Sequence, residues 1–141
     1  MKRIIIMDAS GSMAEEGKKT VAVYLVHTVC DLLRNEWGCT EYSVYTWNRE
    51  IELSKGKIDC KGKTDEDKLE EFLEQNKDSR VLVISDCRFS KKGWKTLEDE
   101  GVLLLKVGSE NISAGVGNAF RKRNIFEAVD AAECTYRFAN N

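Results

Sequence analysis

Asp8, Ser10 and Ser12 stand at alternate positions directly after the apolar run Ile4-Ile5-Ile6-Met7. A short continuous apolar run bounded by turn residues reads as a buried strand, and Asp8 marks its end. The spacing lets the one carboxylate and two hydroxyls all turn toward a common point above the strand end. Gly11 is expected to let the backbone curl there without a Cβ clash. All three side chains are hard oxygen donors, which suit Mg²⁺ or Mn²⁺ and do not suit a soft metal.

Other candidate chemistry is weaker. His27 is the one histidine, and it lies one helical turn from Cys30. A core or flank position is the better reading of that pair than a zinc site. Residues 12–19 are a near miss to a phosphate-binding loop. Ser12 stands where the first glycine belongs and Lys19 where the final hydroxyl belongs, and Glu15 and Glu16 would repel phosphate. Arg121-Lys122-Arg123 reads first as a solvated face and only second as a contact for an acidic partner.

Composition narrows the class. The chain has 141 residues, enough for a single domain with one core, and its apolar fraction of 42% is ordinary for a soluble protein. Twenty-two Lys and Arg against 24 Asp and Glu give a net charge of −2, which argues against a nucleic-acid footprint. No apolar run approaches the roughly 20 residues of a membrane span. The run after Met1-Lys2-Arg3 is too short for the core of a signal peptide. The five cysteines are odd in number and form no C-x-x-C pair, so free thiols in a reducing cytoplasm are expected.

The elements that must position the donors alternate between strand and helix. Residues 4–8 read as the first strand. Residues 15–37 read as a long helix, with Val21, Leu25, Val29 and Leu32 on one face, widened by Ala22, Val26, Cys30 and Leu33, and stopped by Gly38. Residues 42–47 and 51–53 read as a hairpin, and 54–63 as a polar loop. Thr64 is expected to open the next helix as its N-cap, with Asp67 as capping-box partner and Leu69, Phe72 and Leu73 on the apolar stripe. Residues 81–84 form a second continuous apolar strand that ends at Ser85-Asp86. A helix over 93–100 buries Trp94 and Leu97, and a third apolar strand runs over 102–105. Residues 109–117 read as a loop, with an extended piece near 116–120. Residues 124–138 read as a closing helix with Asn124 as N-cap and Glu127 at its third position. Of the three tryptophans, Trp47 is the strongest core candidate.

Continuous apolar strands separated by helices predict a doubly wound α/β fold with a mostly parallel sheet covered on both faces. Ligands in such folds bind beyond the carboxyl ends of the strands, which is where Asp8 and Asp86 stand.

Asp8-Ala9-Ser10-Gly11-Ser12-Met13 after the first strand, Thr64 at the head of a helix, and Asp86 at the end of a later strand resemble the von Willebrand factor A domain. The match is to its metal-ion-dependent adhesion site, D-x-S-x-S followed by T and then D. The resemblance spans almost the whole chain in element order and implies a metal set of Asp8, Ser10, Ser12, Thr64 and Asp86. It implies that Ser10 and Ser12 give hydroxyls directly, that Thr64 binds directly or through water, and that Asp8 and Asp86 act mostly through waters and the serines. It further implies a Mg²⁺ or Mn²⁺ ion completed by an Asp or Glu of a partner protein. The expected function is metal-dependent protein binding without catalysis, within an intracellular assembly of the AAA+ ATPase-associated kind. The chain departs from the family in carrying Cys87 where glycine often follows the last aspartate, and in its shorter length.

Each residue also has a plainer reading. Asp8 and Asp86 suit turns, Ser10 or Ser12 suits a helix cap, and Thr64 suits both roles at once. One enzyme class shares the opening strand and aspartate, the Mg²⁺-dependent phosphatases of haloacid-dehalogenase type. Their chemistry needs a second carboxylate two residues on, where this chain has Ser10.

Overall fold

The computed structural model describes residues 2–112 and 116–140. Its centre is β1 (Arg3–Asp8), which pairs in parallel with β2 (Tyr42–Trp47) on one side and β4 (Arg80–Ser85) on the other. β3 (Ile51–Leu53) closes a hairpin on β2 and is the one antiparallel strand among the described residues. β5 (Leu103–Lys106) and β6 (Ile125–Glu127) extend the sheet in parallel beyond β4. The strand order is β3-β2-β1-β4-β5-β6. From β1 the chain moves outward to β3, then returns to β4 on the opposite side. The order reverses between β1 and β4, and the crevice such a reversal opens at the carboxyl ends is where α/β folds place ligands.

Alternation along the strands separates two cores. Ile5 and Met7 of β1, Leu82 and Ile84 of β4, and Leu103 and Leu105 of β5 face α1 (Lys18–Asn35) and α5 (Ala131–Asn140). Ile4, Ile6, Val81, Val83 and Leu104 face α2 (Glu66–Gln75) and α3 (Lys91–Asp99). Strands buried on both faces must be apolar at every position, which is why β1, β4 and β5 read as unbroken runs. α1 buries Ala22, Leu25, Val26, Val29 and Leu33. Val21, expected on that face, is 44% exposed. The helix begins at Lys18 and not at residue 15, because residues 11–14 form a separate 3-10 turn. Among the described residues no helix is long and apolar enough to cross a membrane.

The carboxyl-terminal third differs from expectation. Residues 118–124 form a short helix, α4 (Asn118–Asn124), where an extended piece was expected near 116–120. The closing helix expected over 124–138 is instead strand β6, a 3-10 turn and α5. Ile125-Phe126-Glu127 is too short to show a period of its own, and pairing with Leu104, Leu105 and Lys106 decides its conformation. Asn124 caps no helix from its N-terminal side; its amide donates to the carbonyls of Gly101 and Val102. The loop expected over 109–117 includes residues 113–115, which lie outside the described residues.

Trp47 at the end of β2 is fully buried, stacks on Phe89 at 5.9 Å and donates its indole N–H to the Asp65 carbonyl at 3.1 Å. It joins the sheet to the head of α2. Trp47→Ala is expected to cost about 3–5 kcal/mol in denaturant unfolding, the usual range for a buried large aromatic; a loss below about 1 kcal/mol would contradict this packing role.

Candidate metal-binding site

Three segments far apart in sequence meet at the β1/β4 crevice. Asp8, Ser10, Ser12, Thr64 and Asp86 all line one cleft of about 500 Å³, together with Gly62, Lys63, Glu66, Arg88 and Ser90.

Backbone stitching brings Thr64 there. The Ala9 N–H donates to the Trp47 carbonyl at 2.8 Å, and the Lys61 N–H donates to the Ala9 carbonyl at 3.0 Å. The Gly11 N–H then donates to the Gly62 carbonyl at 2.8 Å. Gly62 takes a left-handed conformation (φ 71°) that folds the loop over the strand end. Gly11 does not take one, so its expected role is corrected: it lies against Gly62 at the start of the 3-10 turn and needs no unusual φ. The Asp65 N–H is held by the Asn48 carbonyl at 2.8 Å.

Thr64 is not the cap of α2. Asp65 is, its Oδ1 accepting from the Asp67 and Lys68 N–H groups at 2.9 and 3.2 Å. Asp outranks Thr as a cap, and the cap has moved one residue on. Thr64 is thereby left out of capping, and it lines the cleft. The serines are likewise not spent as caps. Ser10 precedes the 3-10 turn without a side-chain cap bond, and α1 is preceded by Gly17. The Ser10 and Ser12 hydroxyls lie 3.2 Å apart.

Asp8 is buried and fully engaged. Its Oδ1 accepts from the Ser10 N–H at 2.8 Å and its Oδ2 from the Ser85 hydroxyl at 2.6 Å. Ser85 in turn accepts the Cys87 N–H at 2.9 Å. β-Alternation explains the pairing: Met7 is in register with Ile84, so Asp8 and Ser85 come next and share a face. Burial pushes the Asp8 carboxyl above its ordinary value, and the bonds from Ser85 and Ser10 pull the other way.

Asp86, also buried, meets the other face. Its Oδ2 pairs with the Lys18 ammonium at 3.2 Å and lies 3.7 Å from Arg88 Nε. Lys18 is itself only 2% exposed and pairs a second time with Glu110, which Arg88 also holds at 2.7 Å. Burial pushes the Lys18 ammonium down, and the carboxylates of Glu110 and Asp86 more than reverse this. Lys18 holds the Glu110 carboxyl down at about 2. Glu66 bridges the heads of α2 and α3, accepting from the Ser90 N–H at 3.0 Å and from its hydroxyl.

The donor set suits a hard cation. Two residues with carboxylates and three with hydroxyls line one cleft, and Asp86 Oδ1 is buried without a hydrogen-bond partner. An orphaned buried carboxylate oxygen on a residue that lines a polar cleft is what a metal-bound water would satisfy. Among the described residues no three His, Cys, Asp or Glu side chains form a metal cluster, so any ion here depends on the hydroxyls. His27 is exposed on α1, and Lys18 of the near-miss phosphate loop is occupied by Asp86 and Glu110.

Several of these residues were not singled out from sequence. Ser85 was available to alternation as the neighbour of Asp8. Lys18 carried one sign, a lysine in the first turn of a helix, where the dipole disfavours it. Glu110, in a loop after β5, carried none.

Cys87 has φ 64°, the left-handed conformation that explains why glycine suits this place. Its thiol is buried in the α2/α3 core, contacts the Ser85 carbonyl at 3.6 Å, and is pushed well above its ordinary pKa by burial.

Solved structures share this fold. One described as von Willebrand factor type A from Catenulispora acidiphila has a TM-score of 0.65 at 14% identity, covering 97% of this chain and 41% of that one. Two structures of proximal thread matrix protein 1 from the mussel byssus have TM-scores of 0.59 and 0.57, both at 13% identity. They cover 99% of this chain and 47% and 46% of theirs. The chain therefore spans less than half the length of these neighbours. At such identity the likeness is one of fold, and the chain has an α/β fold of the von Willebrand A type. No protein-family model and no curated protein matches the sequence.

Two outcomes follow from this geometry. The depressed Glu110 carboxyl contributes stability that is complete above its ordinary 4.5 and lost as pH falls toward about 2. Glu110→Gln should flatten the stability profile across that window, and an unchanged acid limb would mean that Glu110 is not held by Lys18. At position 87, gained backbone freedom and lost side-chain burial nearly cancel in Cys87→Gly, leaving stability within about 1 kcal/mol of wild type. Cys87→Val, β-branched at a left-handed position, should cost about 2 kcal/mol or more in the same unfolding assay.

Proposed function

We propose that this chain is a metal-dependent protein-binding module, holding Mg²⁺ or Mn²⁺ at the β1/β4 crevice and using it to capture an Asp or Glu of a partner protein. The observation that carries the reading is the convergence of Asp8, Ser10, Ser12, Thr64 and Asp86 on one cleft, with Asp86 Oδ1 buried and unpaired. Ser10 and Ser12 would hold the ion directly, and Thr64 directly or through water. Asp8 fixes the loop through the Ser10 N–H, and Asp86, one oxygen of which has no hydrogen-bond partner, would act through a water of the ion. With few direct carboxylates, a bound Mg²⁺ supplies an electrophilic vertex for an incoming acid.

The site is read as one of recognition and not of catalysis. The phosphatase alternative lacks its general acid/base, because Ser10 stands in the required place and both Asp8 oxygens are already bonded. We place the protein in the cytoplasm, a reading supported by five unpaired cysteines. An AAA+ ATPase-associated assembly is the partner we propose, on the resemblance alone.

Calorimetric titration with Mn²⁺ tests the site. Ser10→Ala with Ser12→Ala should abolish binding while circular dichroism stays unchanged, since both hydroxyls lie at a loop. Retained affinity in that double variant removes the assignment. Asp86→Asn should weaken binding less than the double change, and a larger effect would make Asp86 a direct ligand.

A further inference from the structure

Lys18 is a charged side chain that a divalent-ion site does not obviously want. It is almost wholly buried, and its ammonium is 3.2 Å from Asp86, a residue of the cleft whose other carboxylate oxygen is buried without a hydrogen-bond partner. It opens α1, where the helix dipole disfavours a cation, and no acidic residue shares that first turn. The chain reaches it through two successive left-handed residues, Glu16 (φ 54°) and Gly17 (φ 74°). Non-glycine residues rarely adopt that conformation, so the turn that buries Lys18 is strained at Glu16. A fixed strut between α1 and the sheet end would need neither the charge nor the strain.

We infer that Lys18 is a resident cation of the site: it competes with the divalent ion for Asp86 and so sets a weak intrinsic metal affinity, while Glu110 holds the same ammonium and moderates the competition. The inference rests on the proposed metal site and deepens it. Arg88 also approaches Asp86, at 3.7 Å, but its side chain is 51% exposed, so solvent screens its charge. Lys18 is far less exposed, so its charge on Asp86 is screened less and opposes a second cation at that carboxylate. Glu110 keeps one oxygen on Lys18 and has the other buried without a partner. It therefore offers the ammonium an alternative anion; neither Lys18 nor Glu110 lines the cleft, so the pair acts on the site through Asp86.

The test is Mn²⁺ calorimetry on the full chain, with melting temperature measured with and without Mn²⁺, for wild type, Lys18→Met and Glu110→Gln. Lys18→Met should bind Mn²⁺ at least tenfold tighter, and Mn²⁺ should raise its melting temperature more than that of wild type, because the ion then neutralises an otherwise unpaired Asp86. Glu110→Gln, which leaves the ammonium to Asp86, should bind at least threefold weaker. Binding by wild type with equal or weaker affinity in Lys18→Met overturns this inference and leaves the metal site standing. Binding by Lys18→Met but not by wild type supports it and removes metal-dependent recognition from the native chain. No binding by either overturns both. If Lys18→Met does not fold, Glu110→Gln decides, and unchanged or tighter binding there overturns the inference.

Discussion

The structure turns on burying the Asp8 carboxylate at the carboxyl end of its central strand. A buried carboxylate is tolerable only when its lone pairs are satisfied. Here one oxygen is met by the Ser10 N–H and the other by the Ser85 hydroxyl. Those two bonds tie the first loop to the strand across the point where strand order reverses. The same bonds set the loop that carries Ser10 and Ser12, and through Ser85 they reach the Cys87 N–H and the turn that carries Asp86. Burial still raises the Asp8 carboxyl, so the protonated form gains relative to an exposed aspartate. A cation in the cleft would oppose that shift.

The two faces of the sheet contribute different things to this place. On the α2/α3 face, Asp8 and Ser85 meet by alternation, and Trp47 and Asp65 anchor the loop that delivers Thr64. From the α1 side comes Lys18, and with it the ion pairs to Asp86 and Glu110. The hydroxyl half of the cleft is thus held by hydrogen bonds to the Asp8 carboxylate and by backbone stitching, whereas the Asp86 half is held by ion pairs.

Much of this could be read in the sequence, for reasons visible in particular residues. β1, β4 and β5 are buried on both sides, so their unbroken apolar runs declared both strand and parallel sheet. The hairpin at 42–53 showed itself by alternation and a short connection. The five proposed ligands sit where strand ends and loops were expected, and all line one cleft. What failed depended on contacts distant in sequence. β6 is three residues long and exists because β5 pairs with it. The cap of α2 fell to Asp65 because Asn48 and Trp47 hold that residue's backbone. Glu110 joins the site from 92 positions beyond Lys18, with no local pattern to announce it.

On the proposed reading, charge would link Lys18 to recognition. Two aspartates beside a divalent ion would balance, and Lys18 with Glu110 would balance as a second pair, while Lys63 and Arg88 outweigh Glu66 on the cleft lining. The ammonium beside Asp86 would weaken the hold on the ion, and Glu110 would reduce that effect. The ion would then be held less firmly alone, and an acidic group from a partner would offset the remaining positive charge. Each ligand would strengthen the other by the same factor, since coupling between two binding events is reciprocal. On the proposed reading such a site would stay lightly loaded until an acid arrives and would then hold both. That behaviour would suit reversible assembly, and it would rest on the Lys18–Asp86 pair more than on the shape of the cleft.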